Sequence, residues 1–237
     1  MKLSKIANYF QANKILLTKP DYVVSKISSD NYLSTLFEKY GTDKDSVINK
    51  KLLGWPAHNY AAIYEFMFRD KRYSIKSLFE CGIGTNNLTI KSNMGTKGTP
   101  GASLRVWQDY FPNALIYGGD IDESILFSED RIKTSHLDQT SPISIANFFN
   151  LYGGIKFDLM IDDGLHEYEA GITLFENSFS YLSKFGTYII EDVTYSDINK
   201  YRDYFKFSGL DVTFVLDANN LKFPNLDHNY LIFIRRL

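Results

Sequence analysis

Two acidic pairs, Asp162-Asp163 and Glu191-Asp192, each close an apolar run in this chain, and His166 follows the first pair by three positions. Carboxylates gathered into one crevice repel one another, and a bound divalent cation resolves the conflict. An all-oxygen set suits magnesium, calcium or manganese better than zinc. A neutral imidazole beside such a cluster can accept a proton near neutral pH. Acids that merely cap neighbouring helices, and a structural histidine, are the alternative reading. Upstream, residues 77–84 form a short apolar run that carries Glu80 and ends in the turn Gly82-x-Gly84. Glycines without a Cβ allow a sharp turn and a close approach to a bound cofactor, although two glycines alone also fit an ordinary strand-to-loop turn.

These residues need a scaffold that brings distant positions together. The run at 77–84 reads as the first parallel strand of a nucleotide-handling α/β sheet, and residues 114–122, 132–136, 157–162 and 185–192 read as the strands that follow. In such a sheet the carboxyl ends of the strands line one crevice, so the acidic pairs should converge although the helical stretch 167–183 separates them. Asp120, or failing that Asp122, ends the second strand where an acid can accept both hydroxyls of a ribose. Asp138 and Gln139 follow the third strand with side chains able to bond an adenine edge; a turn cluster would look the same. Residues 210–216 and 230–236 read as two strands joined by a loop, which makes them antiparallel and leaves one reversed strand near the sheet edge.

Between strands, residues 85–100 form a polar insertion longer than the usual strand-to-helix connection, in a place where long loops carry function. Residues 101–111 then read as a helix, with Ser103 as a ligand contact or only an N-cap. Helical patterns also cover 30–39, with Asp30 as N-cap and Gly41 as stop, and 60–69. The turn Tyr40-Gly-Thr-Asp-Lys44 lies between them, and residues 50–56 read as a loop. His58 is a capping or surface histidine on the plain reading and a substrate contact on the sharper one. An amphipathic pattern over residues 3–17 suggests a helix that docks on the domain, a membrane surface or another subunit.

With 237 residues, 44% of them hydrophobic, the chain can bury a sizeable core. A formal charge of −2 gives no broad electrostatic case for nucleic acid or an anionic membrane. Cys81 is the only cysteine, so no intramolecular disulfide forms and a Cys-rich zinc site is excluded, which favours a reducing cytoplasm. The first twenty residues lack the apolar core of a signal peptide and the length of a membrane span.

The order of glycine loop, acid after the second strand, Asp-Gln, Asp-Asp-Gly, Glu-Asp and terminal hairpin resembles the class I S-adenosylmethionine-dependent methyltransferases over residues 75–237. Within that class, Tyr40-Gly-Thr-Asp-Lys44, Pro100-Gly-Ala-Ser-Leu-Arg105, Asp162-Asp163-Gly-Leu-His166 and Ile190-Glu191-Asp192 resemble the metal-dependent sugar O-methyltransferases of the mycinamicin type, with relatives in bacterial surface-glycan clusters. The resemblance implies a Rossmann-like, doubly wound α/β fold with a mostly parallel seven-stranded sheet, one antiparallel strand near the edge, and N-terminal helices. It divides the chain into an N-terminal helical and covering segment, 1–70, and a methyltransferase domain, 71–237.

It further implies that Glu80, Gly82 and Gly84 line the methionine part of the donor, with Ser103 and Asp163 near it, Asp120 at the ribose, and Asp138 and Gln139 at the adenine. Asp163, Glu191 and Asp192 match the magnesium-holding positions, and His166 matches the general base. The expected acceptor is a hydroxyl on a glycan or nucleotide-linked sugar; a phosphoramidate or a diol is the non-sugar alternative. Neither nucleic acid nor stable membrane insertion is expected, and self-association is reasonable. Nicotinamide-dependent oxidoreductases share the strand, glycine turn and acid, but Asn87 stands where their third glycine is expected and Asp120 lies farther along than their ribose acid. An inactive cofactor-binding scaffold is the non-enzymatic alternative.

Overall fold

A sheet whose strand order reverses beside its first central strand sets the architecture. The computed structural model describes residues 21–24, 31–45, 58–217 and 230–236. The strands are β1 (Tyr22–Val24), β2 (Ser77–Cys81), β3 (Leu115–Asp120), β4 (Ser128–Glu129), β5 (Ile132–His136), β6 (Phe157–Asp162), β7 (Leu182–Val193), β8 (Asp211–Asp217) and β9 (Tyr230–Arg235). They pair in the order β1-β8-β9-β7-β6-β2-β3-β5-β4. Because β2 pairs in parallel with both β3 and β6, the chain winds outward in both directions from it. The crevice at that reversal, beyond the carboxyl ends of the strands, is where α/β sheets bind ligands.

The sheet has nine strands rather than the expected seven. The two extra ones are β1, which adds three parallel residues outside β8, and β4, which pairs two antiparallel residues with β5. Strands this short have too few positions for an alternation of apolar and polar residues to show. The terminal pair behaves as expected: β9 runs antiparallel to both β7 and β8, so it is a reversed strand near one edge.

Helices α1 (Tyr32–Tyr40), α2 (Tyr60–Phe68) and α3 (Ala102–Tyr110) pack on one face, where Phe37, Tyr64 and Trp107 join Leu78, Leu159 and Ile189 of the sheet. Helices α4 (Pro142–Leu151), α5 (Tyr168–Ser178) and α6 (Ile198–Phe205) cover the other, against Phe79, Met160, Tyr188 and Ile190. Trp107, Tyr64 and Phe111 are fully buried, and burying an aromatic side chain contributes about 4 to 6 kcal/mol before the entropy of ordering it is subtracted. α1 starts one residue later than expected: the Asn31 side chain accepts from the Ser34 amide at 2.9 Å. It stops at Gly41, whose φ of 78° is easiest without a Cβ. The expected helix over residues 3–17, the Asp30 cap and the loop at 50–56 lie outside the described residues. Among the described residues, no helix is long and apolar enough to cross a membrane.

Candidate active site

The turn after β2 is shaped by close approach. Gly82 and Gly84 both have φ of 82°, and a Cβ on Gly82 would collide with the Asp163 carbonyl oxygen. Any side chain there would push apart the ends of β2 and β6. Both glycines line a cavity of about 850 Å³ at the reversal point, as do Ser103, Asp120, Asp138 and Gln139. Asp163, His166 and Asp192 lie on its wall as well.

The acids arrive by strand register. On β2, Leu78 and Phe79 face opposite helical layers, and the alternation turns Glu80 toward α3, where its Oε2 accepts from Trp107 Nε1 at 2.6 Å. On β7, alternation would send Glu191 and Asp192 to opposite faces. Between the pairs Ile190–Ile232 and Val193–Tyr230, however, two β7 residues oppose one β9 residue, Leu231. This β-bulge lets both carboxylates reach the same face. There, Tyr64 Oη donates to Glu191 and Tyr60 Oη donates to Asp192, from side chains one turn apart on α2. Asp192 takes a φ of 53°, and His166 one of 58°, a region costly for residues with a Cβ and concentrated at functional sites.

Not all four paired acids meet. Asp163, Glu191 and Asp192 converge with Glu80, whereas Asp162 turns toward α5 and accepts from Gln139 Nε2 at 2.7 Å. At the centre lies Lys44, the last residue of the polar turn that follows α1. Its Nζ is 2.6 Å from Asp163 Oδ2, in contact with Glu191 Oε2, and 3.8 Å from Glu80 Oε1. His166 sits between the outer acids, with Nε2 at 3.3 Å from Asp163 Oδ1 and Nδ1 at 3.9 Å from Asp192 Oδ2. His58 places Nε2 at 3.4 Å from Asp192 and stacks on Tyr60, so it lines the site rather than the outer surface.

Charge follows from this packing. Burial alone would discharge Lys44, but Asp163, Glu191 and Glu80 outweigh it and hold the ammonium protonated, well above its usual range. Burial likewise works against the Asp163 carboxylate, yet Lys44 and His166 hold it below the ordinary carboxylate range. His166 is pushed up to about 9: its burial is outweighed by the bond to Asp163 and the charge of Asp192. Glu80 is pushed up to about 7, chiefly by burial, with Lys44 opposing.

Toward the expected donor end, Asp120 Oδ2 accepts from the Ile83 amide and Oδ1 from the Asp122 amide, both at 2.9 Å. Asp122 is engaged by Ser124 and by the Thr85 hydroxyl, which pins the start of the insertion. Asp138 Oδ1 accepts from Thr140 in a local turn. The Gln139 amide is used at both ends, since its Oε1 also accepts from the Leu165 amide at 2.8 Å. It therefore ties the loop carrying Asp163 and His166 to β6. Ser103 lies in the first turn of α3, whose N-cap is Gly101 rather than Ser103. The insertion folds over the cavity: Ser92 Oγ donates to the Leu165 carbonyl at 2.9 Å, and Lys91 pairs with Glu167 at 3.0 Å. Met94 packs where a Cβ on Gly84 would be.

No family model matches the chain. It is 32% identical over 161 residues to 8-demethyl-8-alpha-L-rhamnosyl tetracenomycin-C 2'-O-methyltransferase of Streptomyces olivaceus, a match covering 68% of this chain and 37% of that protein. It is 32% identical over 163 residues to mycinamicin VI 2''-O-methyltransferase of Micromonospora griseorubida, covering 68% and 36%. The structure of MycE methyltransferase from the mycinamycin biosynthetic pathway, in complex with Mg and SAH, matches with a TM-score of 0.55 at 30% identity, covering 76% of this chain and 40% of that one. The chain is a homologue of sugar O-methyltransferases. It carries the class I methyltransferase fold and spans just over a third of the length of the curated relatives it matches.

In this sugar O-methyltransferase homologue the donor set suits a hard divalent ion. Among the described residues, Asp163, His166 and Asp192 each offer an atom to a group that fits within 4.8 Å, and the two carboxylates open onto the cavity, whereas Glu191, expected as a ligand, stands outside that group with its oxygens engaged by Tyr64 and Lys44. Lys44 and the protonated His166 set two positive groups against Glu80, Asp163, Glu191 and Asp192, and burial pushes the carboxyls of Glu80 and Glu191 upward, so a further cation would meet chiefly Asp163 and Asp192, where it would take over from the His166 proton.

Proposed function

We propose that this protein is an S-adenosylmethionine-dependent, magnesium-dependent O-methyltransferase acting on a hydroxyl of a sugar, either in a natural product or in a glycan or nucleotide-linked precursor met in the cytoplasm. The observation that carries this reading is the convergence of Asp163 and Asp192 beside His166 at the wall of a cavity that begins at Gly82, with Glu191 buried behind them against Lys44. The relatives' names supply the acceptor class, since they describe methylation of hydroxyls on sugar-bearing compounds.

In this reading Gly82 and Gly84 admit the methionine part of the donor, Glu80 and Ser103 lie beneath it, Asp120 faces the ribose, and Asp138 with Gln139 borders the adenine. Asp163, Glu191 and Asp192 hold the metal. A divalent ion there supplies positive charge that lowers the pKa of the acceptor hydroxyl and offsets the carboxylate charge that keeps His166 protonated. His166, held between Asp163 and Asp192, takes the hydroxyl proton as the methyl group passes from the sulfonium sulfur to the acceptor oxygen. The insertion over the cavity excludes water from that transfer. Residues 1–70 act as a covering segment, as the cavity-lining positions Thr42, Lys44 and His58 suggest.

The test is donor-dependent methylation of sugar-bearing acceptors, read as release of S-adenosylhomocysteine with and without chelator. Turnover that needs Mg and leaves a methyl ether on the sugar supports the reading. Absence of calorimetric binding of S-adenosylmethionine overturns it.

A further inference from the structure

Lys44 is the feature the proposed mechanism does not use. Its side chain is 4% exposed, yet its ammonium touches two of the three residues assigned to the metal. A charged group so deep in a protein is costly unless it is paired, and Lys44 is held there from two directions. Gly41 ends α1 and turns the chain inward, while the Ala61 amide donates to the Lys44 carbonyl at 3.0 Å and the His58 amide to the Asp43 carbonyl at 2.8 Å. The backbone of this turn is therefore fastened to the start of α2, the helix whose Tyr60 and Tyr64 bind Asp192 and Glu191.

The acids come from strand ends far along the chain, with Lys44 separated from Asp163 by 119 positions and from Glu191 by 147. Asp163 and Glu191 would repel each other across the gap that the ammonium fills. We propose that Lys44 is a positioning residue of the metal site, a resident cation that holds Asp163 and Glu191 together before the divalent ion arrives and sets how much charge that ion must offset. This rests on the metal reading above. It implies that the ion and the lysine support the same carboxylates, so losing one makes the fold depend more heavily on the other.

The experiment is thermal unfolding of wild type and Lys44→Met, each in chelator and in excess MgCl2, with Mg binding followed by calorimetry. The expected result is that Lys44→Met unfolds about 10 °C lower than wild type in chelator, and that Mg restores at least half of the difference. An equal loss with and without Mg, while both proteins still bind the ion, reduces Lys44 to ordinary packing and overturns this inference alone. Wild-type protein that binds no divalent ion overturns the metal reading and this inference with it. Should Lys44→Met fail to fold, the double variant Lys44→Met/Glu191→Gln removes one charge of each sign. Its recovery toward the wild-type unfolding temperature in chelator supports the pairing, and a failure to recover overturns it.

Discussion

The strand ends and the segment that precedes β2 meet at one cluster, and they bring opposite contributions to it. From β2, β6 and β7 come carboxylates, placed by strand register and a bulge: Glu80, Asp163, Glu191 and Asp192. From the turn at Lys44, from the residues leading into α2 and from α2 itself come an ammonium, an imidazole and two phenols, placed by a helix stop, by the bond of the His58 amide to Asp43 and by helix phase: Lys44, His58, Tyr60 and Tyr64. Charge on the sheet side defines what can bind. Donors on the helical side define how tightly the acids are oriented while they wait. Substitutions on the sheet side should therefore cost metal binding heavily and turnover with it, and substitutions on the helical side should weaken metal binding less and cost stability before they cost chemistry.

The sharpest break of that division is His166→Ala. Turnover should fall about 1000-fold, while calorimetry finds donor binding intact; retained turnover would remove the imidazole from the reaction. Next comes Asp192→Asn, expected to weaken Mg binding about 100-fold, against about 10-fold for Tyr60→Phe or Tyr64→Phe, as outer partners of ligating groups do. If the phenylalanine variants bind Mg as wild type does, α2 contributes packing alone. Trp107→Phe leaves the buried Glu80 carboxylate without its 2.6 Å donor and should cost about 2 kcal/mol, or roughly 4 to 8 °C in Tm.

The smallest effect is one of pH. His166, raised to about 9 in the ion-free site, stabilises the fold fully below its unfolded value of about 6.5 and loses that contribution as pH rises through 9. Melting in chelator should fall across that window, and less so in His166→Ala.

Much of this comparison could be read in the sequence, but only one side of it. The acids stand out because each pair closes an apolar run, and a parallel sheet obliges such ends to converge. Asp162 was the exception: neighbouring residues in a strand point to opposite faces, and it is the Gln139 side chain, on another loop, that engages it. The same rule applied to Glu191-Asp192 would have split that pair, and nothing in the sequence announces the bulge that prevents this. Lys44 closes one of the motifs that carry the resemblance, but no role comes with it, since a lysine in a Gly-Thr-Asp turn reads as solvated and becomes buried only through contacts more than a hundred positions away. The available signal was arithmetic, because several acids around one divalent ion leave charge that another cation has to meet. Tyr60 and Tyr64 matched an ordinary core helix, and their hydroxyls gained a role only once β7 was beside them.

The doubled residue in β7 sets a limit on how this protein can be improved. Deleting either Glu191 or Asp192 would restore an unbroken ladder with β9 and remove the left-handed backbone at Asp192, so a search for thermal robustness alone would favour it. The same edit would take away one of the two carboxylates that the bulge turns toward α2 and that the proposed metal site needs. In this scaffold, a more regular sheet and an intact acidic cluster are competing endpoints.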